Sequence, residues 1–207
     1  MTELSDTQID RYARHIILKE IGGEGQKRLL GATVAVIGVG GIGCPAIEAL
    51  AAAGVGRLRL IDDDEVALSN LQRQTLFATA DVGRAKVDAA AGAVARLTPD
   101  VAIERHPIRL GIDNARSLLA GADVVLDGCD NFATRLIVAD AAQALQIPLV
   151  SAAVGQFEGQ LAVYRGWEAG KPCYRCLVGN DPDRPDVSCA DQGVLGALTQ
   201  SIGGLAA

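Results

Sequence analysis

The sequence predicts an α/β fold in which a doubly wound, mostly parallel sheet carries helices on both faces. Three observations predict it: short continuous apolar runs of β-branched character, helix-length segments that alternate with them, and a core poor in aromatic residues. Of the 207 residues, 49% are hydrophobic but only 3% are aromatic. Small aliphatic side chains suit close helix-on-sheet packing, and this much apolar surface excludes a disordered chain.

An amphipathic segment at the start of the chain predicts an N-terminal helical arm. Ile9, Tyr12 and Ile16 fall on one stripe of a helix from Thr7 to Lys19. We expect the glycine pair Gly22–Gly23 to end this helix.

Strands and helices alternate after the arm. Thr33–Ile37 is a continuous β-branched run, typical of a strand buried on both faces, and an alanine-rich helix follows it to Ala53. The other predicted elements are strands at Arg57–Ile61, Val101–Arg105, Asp123–Leu126, Pro148–Ala152 and Gly159–Tyr164, and helices at Gly83–Arg96, Asn114–Ala120 and Asn131–Gln146. This alternation builds a mostly parallel sheet.

Charge and hydropathy narrow the class of partner. The chain has 19 Lys+Arg against 25 Asp+Glu, and its basic residues are scattered. We therefore expect neither a nucleic-acid nor an anionic-membrane surface. No apolar stretch reaches the roughly 18 residues of a membrane span, and the acidic N-terminus lacks the pattern of a secretory signal. We expect a cytoplasmic protein.

A glycine-rich loop follows the first predicted strand. Gly38, Gly40 and Gly43 match G-x-G-x-x-G between a strand and a helix, where backbone N–H groups can approach a phosphate. Asp62 ends the next strand, where an acid accepts hydrogen bonds from ribose hydroxyls. Alone, the loop also fits a nicotinamide or flavin cofactor. In another interpretation its glycines only permit tight packing of the strand against the helix. The loop therefore indicates a Rossmann-like sheet but does not identify the ligand.

Residues further along favour a nucleoside triphosphate. Arg73 and Lys86 can face a phosphate chain, with Asn70 and Gln72 as polar supports. A leaving pyrophosphate needs such cations because it gathers negative charge. Asp130 follows another strand at the carboxyl end of the sheet, which suits a carboxylate ligand of Mg²⁺.

Together these motifs resemble the ThiF/MoeB/HesA family, the bacterial relatives of ubiquitin-activating enzymes. The resemblance covers nearly the whole chain, and its serine-to-glutamine run and cysteine pair are far more specific than the glycine loop. The matching segments, in family order, are Arg11–Arg14, Gly38–Gly43, Asp62–Asp64, Ser69–Gln74, Gly83–Lys86, Asp127–Asn131 and Cys173–Cys176.

The resemblance implies ATP-dependent adenylation of the C-terminal glycine of a ubiquitin-like sulfur-carrier protein of the MoaD/ThiS kind. Such carriers serve molybdopterin or thiamin biosynthesis. Implied ligands of ATP and its surroundings are Gly38, Gly40, Gly41, Gly43, Asp62, Asp64, Ser69, Asn70, Leu71, Gln72, Arg73, Lys86, Asp130 and Asn131. Arg14 would reach the partner's site in a homodimer, and Arg135 would lie near the carrier tail. The catalytic set would be Arg14, Arg73, Lys86, Asp130 and Cys189.

Five cysteines without an export pattern argue against a disulfide framework. By resemblance, Cys173 and Cys176 are half of a structural Zn²⁺ site, but the second cysteine pair of that site is absent from this sequence. A thioredoxin-like redox pair is the alternative. Cys189 resembles the position that can link covalently to an activated carrier, or it is an incidental thiol. We expect Cys44 and Cys129 to be small buried residues.

The resemblance also divides the chain. We expect one adenylation domain over residues 1–207, with a helical arm at 1–30, a nucleotide-binding core at 31–155 and a carrier-binding and zinc-loop region at 156–207. The apolar final residues lead us to expect that the natural polypeptide continues. Two other functions remain open here: an NAD-dependent oxidoreductase, and a non-catalytic subunit of an activating heterodimer.

Overall fold

One sheet organises the chain, whose computed structural model describes residues 3–179 and 193–207. Its described strands are β1 (Thr33–Ile37), β2 (Arg57–Ile61), β3 (Ala102–His106), β4 (Val124–Asp127), β5 (Leu149–Val154) and β6 (Gly159–Tyr164). They lie in the order β3-β2-β1-β4-β5-β6. The first five are parallel, and β6 returns antiparallel along β5.

Helices cover both faces of this sheet. Their bounds are α1 (Asp6–Arg11), α2 (Ala13–Ile16), α3 (Gly22–Gly31), α4 (Gly43–Ala52), α5 (Lys86–Leu97), α6 (Ala115–Leu119), α7 (Phe132–Leu145), α8 (Tyr174–Val178) and α9 (Gly196–Ala206). Residues of α4, α5 and α9 share one core cluster, and residues of α6, α7 and α8 share the other. The predicted doubly wound, Rossmann-like α/β fold is confirmed.

The strands alternate their side chains between these two cores. In β2, Leu58 and Leu60 join the first cluster, whereas Ile61 joins the second. Each of the three is at most 2% exposed, and full burial of such a side chain stabilises the fold by about 1.5–3 kcal/mol. The continuous apolar runs therefore reflect burial on both faces, as expected for parallel strands.

The N-terminal arm differs from the single predicted helix. It divides into α1 and α2 at Tyr12, which is 2% exposed and donates a hydrogen bond to Asp100 Oδ2 at 3.0 Å. The Gly22–Gly23 pair begins α3 instead of ending a helix. Burial of Gln26, whose amide donates to the Ala53 carbonyl at 2.8 Å, fixes α3 against the core and outweighs the low helix propensity of glycine.

Two C-terminal elements were not predicted. The region expected to form a zinc loop contains the short helix α8, and the glycine-containing final residues of this sequence form α9. Gly203 permits α9 to pack closely, because a Cβ there would lie 2.4 Å from Pro45 Cγ on α4. None of the helices in the described ranges is long and apolar enough to cross a bilayer.

Candidate functional site: a cavity at the carboxyl ends of the parallel strands

A cavity of about 560 Å³ opens at the carboxyl edge of the sheet. Every parallel strand contributes to its wall: Gly38 follows β1, Asp62 follows β2, Ile108 follows β3, Gly128 follows β4, and Val154 ends β5. The strand order reverses between β1 and β4, so their ends diverge here and leave a crevice in which open α/β sheets bind ligands.

Most of the sequence-predicted nucleotide residues line this cavity. They come from segments far apart in the chain and meet because parallel strands end at the same edge. The predicted residues in the wall are Gly38, Gly40, Gly41, Asp62, Asp64, Asn70, Arg73, Lys86, Asp130, Asn131 and Arg135.

The glycines of the loop have two structural roles: some permit a tight turn and close packing, and one leaves the backbone open to the cavity. Gly38 has φ +85° and lies against the Cys129 backbone, and a Cβ on Gly43 would lie 2.0 Å from the Gly38 carbonyl oxygen. These two glycines permit the turn and its close packing at the start of α4. A Cβ on Gly40, by contrast, would come within 4 Å of Gln74 Nε2 alone, at 3.9 Å, so the Gly40 backbone faces open cavity.

Asp62 ties the glycine loop to the end of β2. Its Oδ2 accepts from Val39 N at 2.6 Å, and its Oδ1 accepts from Asp64 N at 2.8 Å. Burial raises the pKa of Asp62 above the ordinary carboxyl value, and Lys86 offsets part of that rise. A carboxylate has about four acceptor positions, so two remain for hydroxyl groups of a ligand.

Two of the cations that line the cavity, Lys86 and Arg73, were predicted to face a phosphate chain. Lys86 begins α5 and is 5% exposed, and its Nζ lies 2.7 Å from Asp64 Oδ2. Arg73 donates from Nη1 to the Ser69 carbonyl at 3.1 Å. Both groups carry N–H donors toward a region also lined by the glycine loop.

The loop after β4 supplies polar groups on the opposite wall. Asn131 caps α7, because its Oδ1 accepts from Thr134 N at 2.9 Å. Asp130 is exposed and makes no hydrogen bond or ion pair with the described residues. It is therefore a carboxylate still available to a cation.

A buried polar cluster lies behind this wall. Arg135 Nη2 donates to the Cys129 carbonyl, and its Nη1 lies 3.6 Å from Asp127 Oδ2. Arg135 also donates to the Tyr174 hydroxyl. Burial is the largest single influence and would lower the pKa of Arg135, but Asp127, Cys129 and Tyr174 together outweigh it, so the pKa is raised and the guanidinium stays charged.

Several sequence-predicted residues lie away from the cavity wall. Ser69, Leu71 and Gln72 belong to the segment that carries Asn70 and Arg73 but do not themselves line the cavity. Gly43 lies behind the loop, and Arg14 is exposed on α2. Cys189 lies outside the described residues.

Other wall residues were missed from the sequence. Gln74 is 3% exposed and its Oε1 has no hydrogen-bond partner among the described residues. Thr199 reaches the cavity from α9 and lies beside Gly41. The stretch 108–110 follows β3, so the strand-end rule could have identified it.

The cysteines divide by burial. Cys44 is fully buried as predicted, whereas Cys129 is half-buried and lines the cavity. Burial, reinforced by Asp127, raises the pKa of the Cys129 thiol. Cys173 and Cys176 lie with their Sγ atoms 3.2 Å apart at the start of α8.

The donor sets differ in how well they fit the two metals. For Mg²⁺, Asp130 offers an unengaged carboxylate in the cavity that the glycine loop, Arg73 and Lys86 also line, which suits an ion held by one or two acids plus phosphate oxygens. For Zn²⁺, the described residues place no third His, Cys, Asp or Glu with the two thiols. Cys173 and Cys176 alone do not complete a four-coordinate structural site.

Comparison with known proteins identifies the family of this chain. Residues 12–207 match the ThiF family. The chain belongs to the ThiF family. This match confirms the family expected from the motifs. The glycine loop, the Arg73 segment and the cysteine pair all lie within the matched residues.

Curated ThiF-family relatives match almost all of the chain. It is 47% identical to the SAMP-activating enzyme E1 of Haloferax volcanii, covering 97% of this chain and 73% of that protein. It is 46% identical to the sulfur carrier protein adenylyltransferase of Thermus thermophilus, covering 97% of this chain and 75% of that protein. It is 48% identical to the adenylyltransferase and sulfurtransferase MOCS3 of Anopheles gambiae but spans only 47% of that protein.

Solved structures share the fold of this ThiF-family chain. A structure of PaaA has a TM-score of 0.76 at 25% identity, over 97% of this chain and 65% of that one. The E. coli tRNA N6-threonylcarbamoyladenosine dehydratase TcdA, solved in complex with ATP, has a TM-score of 0.70 at 27% identity, over 74% and 63% of the two chains.

Proposed function

We propose that this ThiF-family chain uses ATP to adenylate the C-terminal glycine of a ubiquitin-like sulfur-carrier protein, with release of pyrophosphate. One observation carries the proposal: a single cavity combines the glycine loop, the cations Arg73 and Lys86, and a separate buried arginine, Arg135. The names of the H. volcanii and T. thermophilus relatives support it, since both describe activation or adenylation.

The nucleotide half of the proposal rests on the first wall of the cavity. The triphosphate would lie over Gly40 and Gly41, where the backbone has room and α4 presents its N-terminus. The ribose would lie at Asp62, whose remaining acceptor positions take its hydroxyl protons. The ATP complex of TcdA supports ATP as the nucleotide.

The reaction requires no general base. The attacking group is the carrier's terminal carboxylate, whose ordinary pKa of about 3.5 leaves it ionised at neutral pH. One of its oxygens bonds to the α-phosphorus as the bond from that phosphorus to the oxygen bridging to the β-phosphorus breaks. Neither histidine of the chain, His15 or His106, lines the cavity, in agreement with this chemistry.

Catalysis then consists of alignment and charge neutralisation. Arg73 and Lys86 would bind the phosphates and stabilise the negative charge of the leaving pyrophosphate. Mg²⁺ held by Asp130 would supply further positive charge when bound. Arg14 does not line the cavity of its own chain, so we propose that it acts in the second site of a homodimer.

The carrier half of the proposal rests on the opposite wall. Arg135 offers guanidinium N–H groups to the negatively charged tail of the carrier. Molybdopterin or thiamin biosynthesis is the proposed pathway, and the cytoplasm is the proposed location. Zn²⁺ would bind Cys173 and Cys176 only with two further ligands, and a covalent link through Cys189 is a separate proposal that the described residues do not address.

ATP–pyrophosphate exchange with a panel of purified ubiquitin-like carriers ending in Gly-Gly tests the function. We expect exchange with at least one carrier and none with the same carrier amidated at its C-terminus, because the amide cannot attack phosphorus. Exchange independent of the carboxylate, or none with any carrier, would contradict the proposal.

A nucleotide titration addresses the two other functions. ATP with Mg²⁺ should bind, and NAD should not compete; tight NAD binding without a response to ATP would favour an oxidoreductase. ATP binding without exchange in the isolated chain, restored by a second subunit, would favour the non-catalytic role.

A further inference from the structure

The two residues between Cys173 and Cys176 both contact α7, in different places. Tyr174 points inward and accepts a hydrogen bond from Arg135, while Arg175 points outward to Asp140. The outer pair is bidentate, with both N···O distances at 2.7 Å. Bidentate geometry fixes orientation as well as distance, so α8 is docked against α7 in a defined position.

The Tyr174 ring is also held from the other side. It is 8% exposed and meets the ring of Tyr164 on β6 edge to face, with centroids 5.6 Å apart at 85°. Gly166 lets the chain approach Cys173 so closely that a Cβ there would lie 2.5 Å from Cys173 Cβ. The hydroxyl of Tyr174 therefore stands at a fixed place behind the cavity.

Arg135 reaches the cavity wall from this cluster, whereas Tyr174 does not line the cavity. The partners of Arg135 come from two directions: Asp127 and the Cys129 carbonyl lie on the β4 side, and Tyr174 lies on α8. A planar guanidinium held at two edges has little freedom to rotate. Loss of the hydrogen bond to Tyr174 would leave the Arg135 guanidinium paired with Asp127 but free to rotate.

We propose that Tyr174 is a positioning residue that holds the Arg135 guanidinium in the orientation that binds the carrier's C-terminal tail. This inference rests on the proposed function, since Arg135 serves the carrier only if a carrier binds. It gives Tyr174 a role at the cavity that is separate from metal binding by the neighbouring cysteines. The glycine loop, Arg73 and Lys86 do not take part in the contact between Tyr174 and Arg135.

Steady-state exchange kinetics of Tyr174→Phe test the inference. We expect the KM for the carrier to rise about tenfold, the effect of one lost hydrogen bond to a charged group, with the KM for ATP unchanged. Tyr164→Phe is the matched control, because that ring is equally buried but does not contact Arg135. A carrier KM unchanged in Tyr174→Phe, or raised equally in Tyr164→Phe, would overturn the proposal.

A double-mutant comparison shows whether Tyr174 acts through Arg135. Arg135→Lys should raise the carrier KM, and adding Tyr174→Phe to it should cause no further rise. Independent, multiplicative effects would mean that Tyr174 acts by another route and would reject the inference.

An NMR measurement separates failure of this inference from failure of the proposed function. The guanidinium N–H signals of Arg135, assigned by their loss in Arg135→Lys, should exchange with water about tenfold faster in Tyr174→Phe. Unchanged exchange would reject the positioning role even if a carrier is activated. Absence of pyrophosphate exchange in the unmutated chain would instead reject the function and leave the NMR result to decide the role of Tyr174.

Discussion

Lys86 Nζ lies 2.7 Å from Asp64 Oδ2, yet the two side chains differ sharply in exposure, at 7% and 68%. The ammonium group is thus held at the cavity wall by a carboxylate that water already solvates. A phosphate entering the cavity can share or replace this partner, because an exposed carboxylate is not costly to release.

Replacement of Lys86 should therefore affect catalysis far more than folding. In Lys86→Met, we expect carrier-dependent pyrophosphate exchange to fall about 100-fold or more, the usual cost of one lost donor at developing charge. The thermal midpoint should change little, since Asp64 stays hydrated. Arg105→Met is the control, because its pair with Asp88 is exposed and lies outside the cavity wall; near-normal exchange in Lys86→Met would contradict the assignment.

Substitutions at two glycines of the loop should affect different properties, one the stability of the fold and the other the binding of ATP. Gly43→Ala places a Cβ 2.0 Å from the Gly38 carbonyl oxygen, so we expect a loss of about 2–3 kcal/mol in the free energy of unfolding. Gly40→Ala meets no such contact but adds a methyl group toward the phosphate-facing cavity, so ATP affinity should fall with the thermal midpoint retained. Gly31→Ala, in open space on α3, serves as control for both measurements. Equal effects of the two loop substitutions on stability would contradict the geometry.

Asp62 should impose a pH dependence on both folding and nucleotide binding. Because burial raises its pKa, the folded chain holds the proton more tightly than the unfolded chain, whose value is near 3.8. The stabilising contribution is thus complete below that pH and is lost as pH rises through the folded pKa. Asp62→Asn should abolish this decline in denaturant melts.

ATP affinity should follow the opposite trend, because ribose hydroxyls need the ionised carboxylate as acceptor. Affinity should weaken on acidification at a higher pH than an ordinary carboxyl would produce, as measured by calorimetric titration. Asp63→Asn should keep the wild-type profile, since Asp63 is exposed and makes no hydrogen bond in the described chain. A profile unaltered by Asp62→Asn would show that another group is responsible.

Subunit mixing tests the proposed action of Arg14 in a second site. The arm that carries it is anchored to its own chain through Tyr12 and Asp100, while Arg14 itself is exposed. Inactive Arg14→Ala and Lys86→Met chains, mixed and allowed to exchange, should recover about a quarter of the wild-type rate, since half the dimers would hold one intact site. Mixing Lys86→Met with Arg73→Ala should recover nothing, because both residues act in the cavity of their own chain and each cavity of the mixed dimer would then carry one lesion. Without recovery in the first mixture, Arg14 does not act across a dimer.

The sheet and much of the cavity could be predicted from the sequence. Thr33–Ile37 and Arg57–Ile61 have the bounds expected from their apolar runs, because burial on both faces leaves a strong local pattern. Gly38, Asp62 and Asp130 each follow a parallel strand. Because parallel strands end at the same edge of a sheet, the three residues lie at one edge. The family and the fold followed from these residues.

The missed parts depend on contacts that local patterns do not encode. Gly22 begins α3 with φ +58°, a conformation that favours glycine, and Gly203 lies within α9 because close packing on Pro45 outweighs its low helix propensity. Thr199 reaches the cavity only because α9 packs on α4 and β5. Likewise, the link from Tyr174 to Arg135 joins two helices whose relative placement no sequence spacing reveals.

The contact between Gly41 and Thr199 also bears on how the protein is made. A Cβ on Gly41 would lie 3.2 Å from Thr199 Cγ2, so the nucleotide loop is bordered by a residue translated much later. During vectorial synthesis the β1 to α4 unit leaves the ribosome first and must wait for α9. A nascent chain that has not yet emerged through Thr199 would lack one wall of the cavity, so we expect nucleotide to stabilise the fold only after α9 has emerged.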